Sequence, residues 1–241
     1  MTRIRLRTRP AILFAGLLLI ALILFLPMRL ALGWAGLGEE GFTARRVWGT
    51  IWDGAIHDAL FGDVALGSLE ASVSPLSLIA GRARIAVDGR PGGREDALHG
   101  ALIASRTRRG VDQLSGILPT GRAFAPLPVT QLTLDAVSVS FIDNRCVEAE
   151  GRLTAALGGD VAGVPLPAQI SGNARCDNGA LVLPLASQSG NETLTLRVTG
   201  AGTYNAALAL VPGDPTAIAR LSALGFIQSG GGYQFSVEGR F

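Results

Sequence analysis

A chain of 241 residues with 21 basic and 19 acidic side chains has a formal net charge of only +2. Four of the positive charges, Arg3, Arg5, Arg7 and Arg9, crowd the first nine residues and leave the remainder slightly acidic. That excludes the basic stripe a nucleic-acid binder needs, and the length suits one domain, or two small ones, with a sizeable core. Every basic residue is Arg and none is Lys, for which a GC-rich genome is the plain cause.

The arginines run into an apolar stretch from Pro10 to Met28, with no charge before Arg29. About 18 apolar residues, with a little tilt, are the minimum for crossing a hydrocarbon core. Arginine clusters stay on the cytoplasmic side. The sequence therefore predicts a cytoplasmic tail over 1–9, a transmembrane helix over 10–28 and an exported domain over 29–241. Trp34 then sits at the membrane interface. A cleaved signal peptide is the alternative, because Ala31-Leu32-Gly33 offers a small-residue cleavage site. The run is at the long end for such a leader, and Pro27, Arg29 and Trp34 crowd the approach to the site.

The exported part is rich in apolar and polar residues in alternation, the signature of half-buried strands. Leu69, Ala71 and Val73 alternate, as do Ile85 and Val87 after Ala83. Leu132 and Leu134 share one phase, and Val137, Val139 and Phe141 share the other. The slip at Asp135-Ala136 is what a β-bulge would produce. Leu194, Leu196 and Val198 follow, then Tyr204 to Leu210, then Tyr233, Phe235 and Val237. Turn chemistry separates these runs at Asp88-Gly89, Asn178-Gly179, Ser189-Gly190-Asn191, Gly200–Gly202 and Ser229–Gly232. Short strands joined by short turns favour an antiparallel meander over βαβ units. The expected fold class is all-β with few short helices. Candidate helices are one turn over Pro75–Ala80, a weak one over Val111–Leu118, and a better one over Asp214–Leu224. The last has Asp214 as N-cap, Pro215 in the first turn, Ile218, Leu221 and Leu224 on one face, and Gly225 as stop. Thr120–Val129, with Pro126 and Pro128, reads as a linker between two sub-sheets.

Two cysteines, Cys146 and Cys176, form an even count outside the membrane and suggest a disulfide. Two free buried thiols are the other possibility. Neither cysteine has a second Cys or a His at ligand spacing, which disfavours a metal site.

Catalytic chemistry is sparse. His57 and His99 are the only histidines. His57-Asp58 lacks the Gly-x-Ser-x-Gly elbow that would complete a triad. Asp143 and Glu148 flank Cys146, but any strand end carries such charges. The Gly-rich patches lack the Gly-Lys-Ser/Thr ending of a phosphate cradle. No catalytic, cofactor or metal residue is assigned.

The pattern Gly49-Thr50-Ile51-Trp52-Asp53-Gly54 places a Trp between glycines at the first hairpin after the anchor. Val73-Ser74-Pro75-Leu76-Ser77-Leu78-Ile79-Ala80-Gly81 follows it. Together with the paired cysteines and the final Gly232–Phe241 strand, this resembles the type II secretion system protein N family. Members have one inner-membrane helix, a periplasmic domain, a Gly-x-aliphatic-Trp-x-Gly motif and a strand running into Pro-x-x-Leu-aliphatic-x-Gly. This chain departs from them at Val73, where a Trp is frequent. The resemblance implies Gly49, Trp52, Gly54, Pro75 and Gly81 as a structural motif, not as a reaction centre. It implies a single-pass inner-membrane component with its C-terminal domain in the periplasm, working through other components of the secretion platform. The alternatives are a membrane-anchored lipid-handling or envelope-maintenance protein, and, behind it, a periplasmic hydrolase.

Overall fold

The computed structural model describes residues 10–34, 41–62, 64–79, 81–89, 97–121, 124–161 and 163–240. The Arg-rich tail expected over 1–9 lies outside them. Two helices come first, α1 (Pro10–Leu24) and α2 (Met28–Trp34). One long antiparallel sheet follows. Its strands are β1 (Phe42–Thr50), β2 (Asp53–Phe61), β3 (Val64–Val73), β4 (Ala83–Gly89), β5 (His99–Ala104), β6 (Arg108–Pro119), β7 (Val129–Ile142) and β8 (Arg145–Leu157). A two-stranded side ribbon, β9 (Asp160–Val161) and β10 (Val164–Pro165), interrupts it. The sheet resumes with β11 (Gln169–Asn173), β12 (Arg175–Asp177), β13 (Ala180–Ala186), β14 (Glu192–Val198), β15 (Thr203–Leu210), β16 (Ile227–Ser229) and β17 (Gly232–Arg240). A one-turn helix, α3 (Pro75–Ile79), joins β3 to β4, and α4 (Pro215–Ala223) lies between β15 and β16.

The spatial order of the sheet is β1 through β8, then β11, β13, β14, β15, β17 and β16, with β12 also on β13. This is the expected antiparallel meander. Most strands pair with a sequence neighbour, several of them across a two-residue turn. At Asn178-Gly179 both turn residues take positive φ, +50° and +77°.

One face of the sheet is apolar and turned inward. Ala155, Ile170, Leu208 and Leu210 are almost wholly buried. Thr120 and residues of the stretch from Phe124 to Val129 close over this face. Thr120, Phe124 and Leu127 are buried, the Thr120 hydroxyl donates to the Val129 carbonyl at 2.6 Å, and the Phe124 ring stands edge-on to Tyr204 at 6.0 Å. Strands β6 and β7 pair with each other on either side of this segment.

Three expectations change. The apolar helix expected over 10–28 ends at Leu24, and no helix among the described residues is long and apolar enough to cross a membrane. Pro27 disfavours helical backbone at Leu26, and the Leu26 carbonyl instead accepts the Ile51 N–H at 3.1 Å. The chain is thus drawn off the helix onto the sheet. Val111–Leu118, read as a weak helix, is part of strand β6. Its ladder to β7 shifts between Val111 and Leu114 and again between Leu114 and Gly116. A bulge inserts one residue, so same-face positions move from two apart to three and mimic a helical stripe. Asp88-Gly89, read as a turn, lies inside the β4 ladder, Asp88 opposite both Glu70 and His99.

Helix α4 forms where expected. Asp214 accepts from the Thr216 N–H at 2.8 Å and the Thr216 hydroxyl at 2.5 Å. At the other end the Phe226 and Gly225 N–H groups return to the Leu221 and Ser222 carbonyls, a Schellman cap. Its buried residues are Ala217 and Leu221, while Leu224 is exposed and Phe226 takes the inward place.

Candidate functional site

The Gly49–Gly54 pattern forms the tip of the β1–β2 hairpin. Gly49 pairs with Gly54 and Thr50 with Asp53, leaving Ile51 and Trp52 as a two-residue loop. Neither is a usual turn residue. Ile51 is held because it is also a rung: its N–H donates to Leu26 and its carbonyl accepts from Val73 at 2.9 Å. Pro27 pairs with Thr50 beside it. Three separate chain segments are thereby stitched side by side.

Each motif residue has a distinct task in this junction. The Trp52 indole N–H donates to the Ile23 carbonyl at 3.1 Å, one of the last carbonyls of α1, which also accepts the Leu26 N–H at 3.4 Å. Gly49 has φ +84°, and a Cβ there would strike the Asp53 carbonyl. Gly54 leaves room for Met28, since a Cβ would lie 3.0 Å from the Met28 Cγ. Met28 itself is 4% exposed, so the start of α2 is part of the core. Ala31 and Leu32 pack against the same core.

Pro75 and Gly81 bracket the next connection. Pro75 opens α3, and Gly81, at φ +72°, donates its N–H to the Leu78 carbonyl. The Ser77 hydroxyl donates to the Ser74 carbonyl at 2.7 Å and accepts the Arg84 N–H at 3.2 Å. Because Val73 is bonded to Ile51, α3 starts beside the hairpin tip. The structure brings Gly49, Trp52, Gly54 and Pro75 to one end of the sheet. The partners Ile23, Leu26 and Met28 were not singled out in the sequence. Only the abrupt Pro27 after an apolar run marks that the chain must turn there.

Cys146 and Cys176 lie apart from this junction. They are joined by a disulfide, with Cα atoms 5.5 Å apart. It links β8 to β12, where the β8–β11 ladder has ended at Arg152–Asn173. Among the described residues no cysteine is free.

The outer face of β4–β8 carries polar side chains in a cross-strand row. Arg84 pairs with Asp112 at 2.5 Å, and Arg108 donates to Ser140 at 2.7 Å and to Glu148 at 3.4 Å. Asp112, Arg108, Ser140 and Glu148 border a shallow pocket of about 110 Å³ over Gly110 and Val111. Ser140 is buried, but the two ion pairs are partly solvent-exposed, and such pairs contribute at most about 1 kcal/mol each. His57 lies in β2 opposite Arg46, and His99 in β5 opposite Asp88. Asp143, at φ +48°, occupies the β7–β8 turn. Among the described residues no group of three or more His, Cys, Asp or Glu is placed to hold a metal ion.

The sheet has two edges. β16 at one edge is three residues long, whereas β1 at the other has nine. On β1, Trp48 is 63% exposed and Arg45 reaches Asp58 at 3.4 Å.

Compared with known proteins, residues 40–236 match the family model described as type II secretion system (T2SS), protein N. No curated protein and no solved structure matches the chain.

Proposed function

We propose, since this chain belongs to the type II secretion system protein N family, that it is a non-catalytic, membrane-anchored part of the secretion apparatus. It works through protein contacts in the periplasm. Family membership alone makes it a secretion-system component; the finer reading follows from the junction and the edge.

Helix α1 enters the inner membrane with the N-terminus on the cytoplasmic side. It is apolar throughout, and its side chains are exposed on all sides: Ile12, Phe14, Leu17 and Leu22 are each more than 60% exposed. A helix apolar all round needs an apolar surround. Its 15 residues span about 22 Å at 1.5 Å each, short of a ~30 Å hydrocarbon core. Local thinning and snorkelling of flanking arginines accommodate such a shortfall. Retention of the anchor is supported by the junction. Cutting near Ala31–Gly33 would remove Met28 from the core and strip Ile51 and Trp52 of their partners.

The contact surface is the outer edge of β1. Over residues 42–49, short of the Thr50 that pairs with Pro27, this edge offers backbone donors and acceptors for an added strand, whereas a three-residue edge offers little. Arg45 and Arg46 guard it against indiscriminate pairing. The exposed Trp48 ring supplies the kind of aromatic anchor that dominates protein interfaces. The lipid-handling alternative gains no support from the inner face. The pocket beneath Phe124, among Leu153, Leu183 and Leu196, holds about 10 Å³, no more than a water's worth.

The observation that carries the proposal is the family match over nearly the whole sheet. Photocrosslinkers placed at Trp48 and at Ile227, in cells carrying the secretion operon, test it. Adducts to other secretion components from Trp48 are expected. Adducts to phospholipid alone, from both positions, would overturn it.

A further inference from the structure

The one-turn helix α3 stands out because Leu76 and Leu78 face away from the protein. Leu76 is 78% exposed, more than Phe14 or Leu17 on α1, and Leu78 is 41% exposed. The reason is local. Ser77 spends its hydroxyl on the Ser74 carbonyl and the Arg84 N–H, which turns the polar side of α3 toward β4. The leucines on either side of Ser77 are left without a partner in the fold.

The position of α3 is set by the hydrogen-bonded rungs at the hairpin tip. Leu26 accepts from Ile51, and Ile51 accepts from Val73. Adjacent rungs lie about 4.8 Å apart, so Val73 is roughly 10 Å from Leu26 and α3 begins two residues later. Phe25, immediately before Leu26, is 74% exposed and continues the apolar surface of α1. Two basic side chains flank this end, both exposed: Arg29 in the first turn of α2 and Arg82 just after α3. Asp53, the first residue of β2, is an exposed acidic side chain at the same end.

We propose that this end of the sheet rests in the lipid headgroup layer of the bilayer that α1 enters. Leu76 and Leu78 sit among the upper acyl chains, and Arg29 and Arg82 lie against lipid phosphates. The inference rests on α1 being the membrane segment. Two leucines on a single turn are far short of the ~800 Å² a side that a stable protein interface buries. They suit a fluid apolar layer, which needs no shape match. Arginines beside apolar residues place their stems in the apolar layer and their guanidinium groups at the phosphates. The sheet is thereby seated on the membrane at two points, α1 and α3, which fixes the direction in which the β1 edge faces.

The test uses the full chain reconstituted in vesicles of phosphatidylethanolamine and phosphatidylglycerol. A single environment-sensitive fluorophore is attached through an introduced cysteine in separate variants Leu17→Cys, Leu76→Cys and Ile227→Cys. The native disulfide leaves no other thiol among the described residues. Ile227 is 68% exposed on the edge strand remote from α3 and reports water. The expected result is blue-shifted emission at Leu17 and Leu76, both quenched by spin-labelled lipid, the latter by a shallow label. Emission at Leu76 as red as that at Ile227, with Leu17 still in lipid, would overturn the α3 proposal and leave the anchor intact. A water-exposed Leu17 would overturn the anchor itself and the proposal with it. Blue-shifted Leu76 emission that no lipid label quenches would mean that protein covers α3, which also overturns it.

Discussion

Replacing Cys146 and Cys176 together by alanine should destabilise the domain by about 3.6 kcal/mol. The disulfide joins residues 30 apart in sequence. In the loop-entropy treatment, closing a loop of that size removes about 12 cal/mol/K from the unfolded chain, or ~3.6 kcal/mol at 25 °C. The native arrangement has other supports. The Ala174 N–H donates to Gly151 at 3.0 Å, and the Cys146 N–H donates to Gly179 at 2.8 Å. The folded state should therefore survive, with the loss falling on the unfolded ensemble. For a chain of this size each kcal/mol moves Tm by about 2–4 °C, which gives a fall of roughly 7–14 °C. Thermal melts by circular dichroism would compare the oxidised protein, the same protein with reductant, and the double variant. Cys146 is buried, so alanine also removes packing, and the reduced wild type isolates the cross-link. A reduced protein melting within about 2 °C of the oxidised one would refute the reasoning. A fall seen only in the double variant would show that packing, not loop closure, is at work.

Trp52→Phe keeps a ring but deletes the N–H bond to Ile23, and should cost about 1 kcal/mol, read as faster proteolysis at the α1–α2 joint. Trp52→Ala should cost less than the ~3–5 kcal/mol of a fully buried Trp, because the ring is only partly buried against the core; chemical denaturation would measure it. Gly49→Ala must hold a Cβ at φ +84° against the Asp53 carbonyl, so a loss above ~1–2 kcal/mol is expected in the melting curve. The Thr216 hydroxyl and N–H hold the Asp214 carboxyl below the ordinary aspartate range, with Arg220 adding to the effect. A lowered folded-state value means that the cap stabilises α4 above the usual value of 3.8 and is lost as pH falls through the lower one. Amide exchange in α4 should therefore accelerate in acid, and Asp214→Ala should abolish that pH dependence.

The strands were legible because their periodicity of two survives in residues such as Leu194, Leu196 and Val198, each facing the inward side of β14. The bulge in β7 was legible too, since the phase slip at Asp135-Ala136 coincides with a ladder shift and φ +48° at Ala136. The same device misled in β6. There, two closely spaced bulges reset the phase so often that Val111, Leu114 and Leu118 took on helical spacing. The burial of Phe124 and Leu127 was hidden for a different reason. Prolines signal irregular backbone but not whether that backbone is exposed, and Phe124 found an apolar face to cover. The hairpin motif was visible as residues, but its purpose was not. Trp52 and Gly54 serve atoms of Ile23 and Met28, which come together with them only through tertiary structure.

The nearest-neighbour order of the sheet bears on how the molecule can be built. Each strand from β2 to β8 finds its partner in the segment just before it. A chain delivered from its N-terminus therefore always has a finished template waiting, and it can zip one hairpin at a time. No strand in that half must wait for distant sequence. At the far end the order breaks: β17, the last strand, lies between β15 and the three-residue β16 that precedes it in the chain. From β1 to β8 assembly order and spatial order thus coincide, and the first hairpin laid down is the one pinned to the apolar helix.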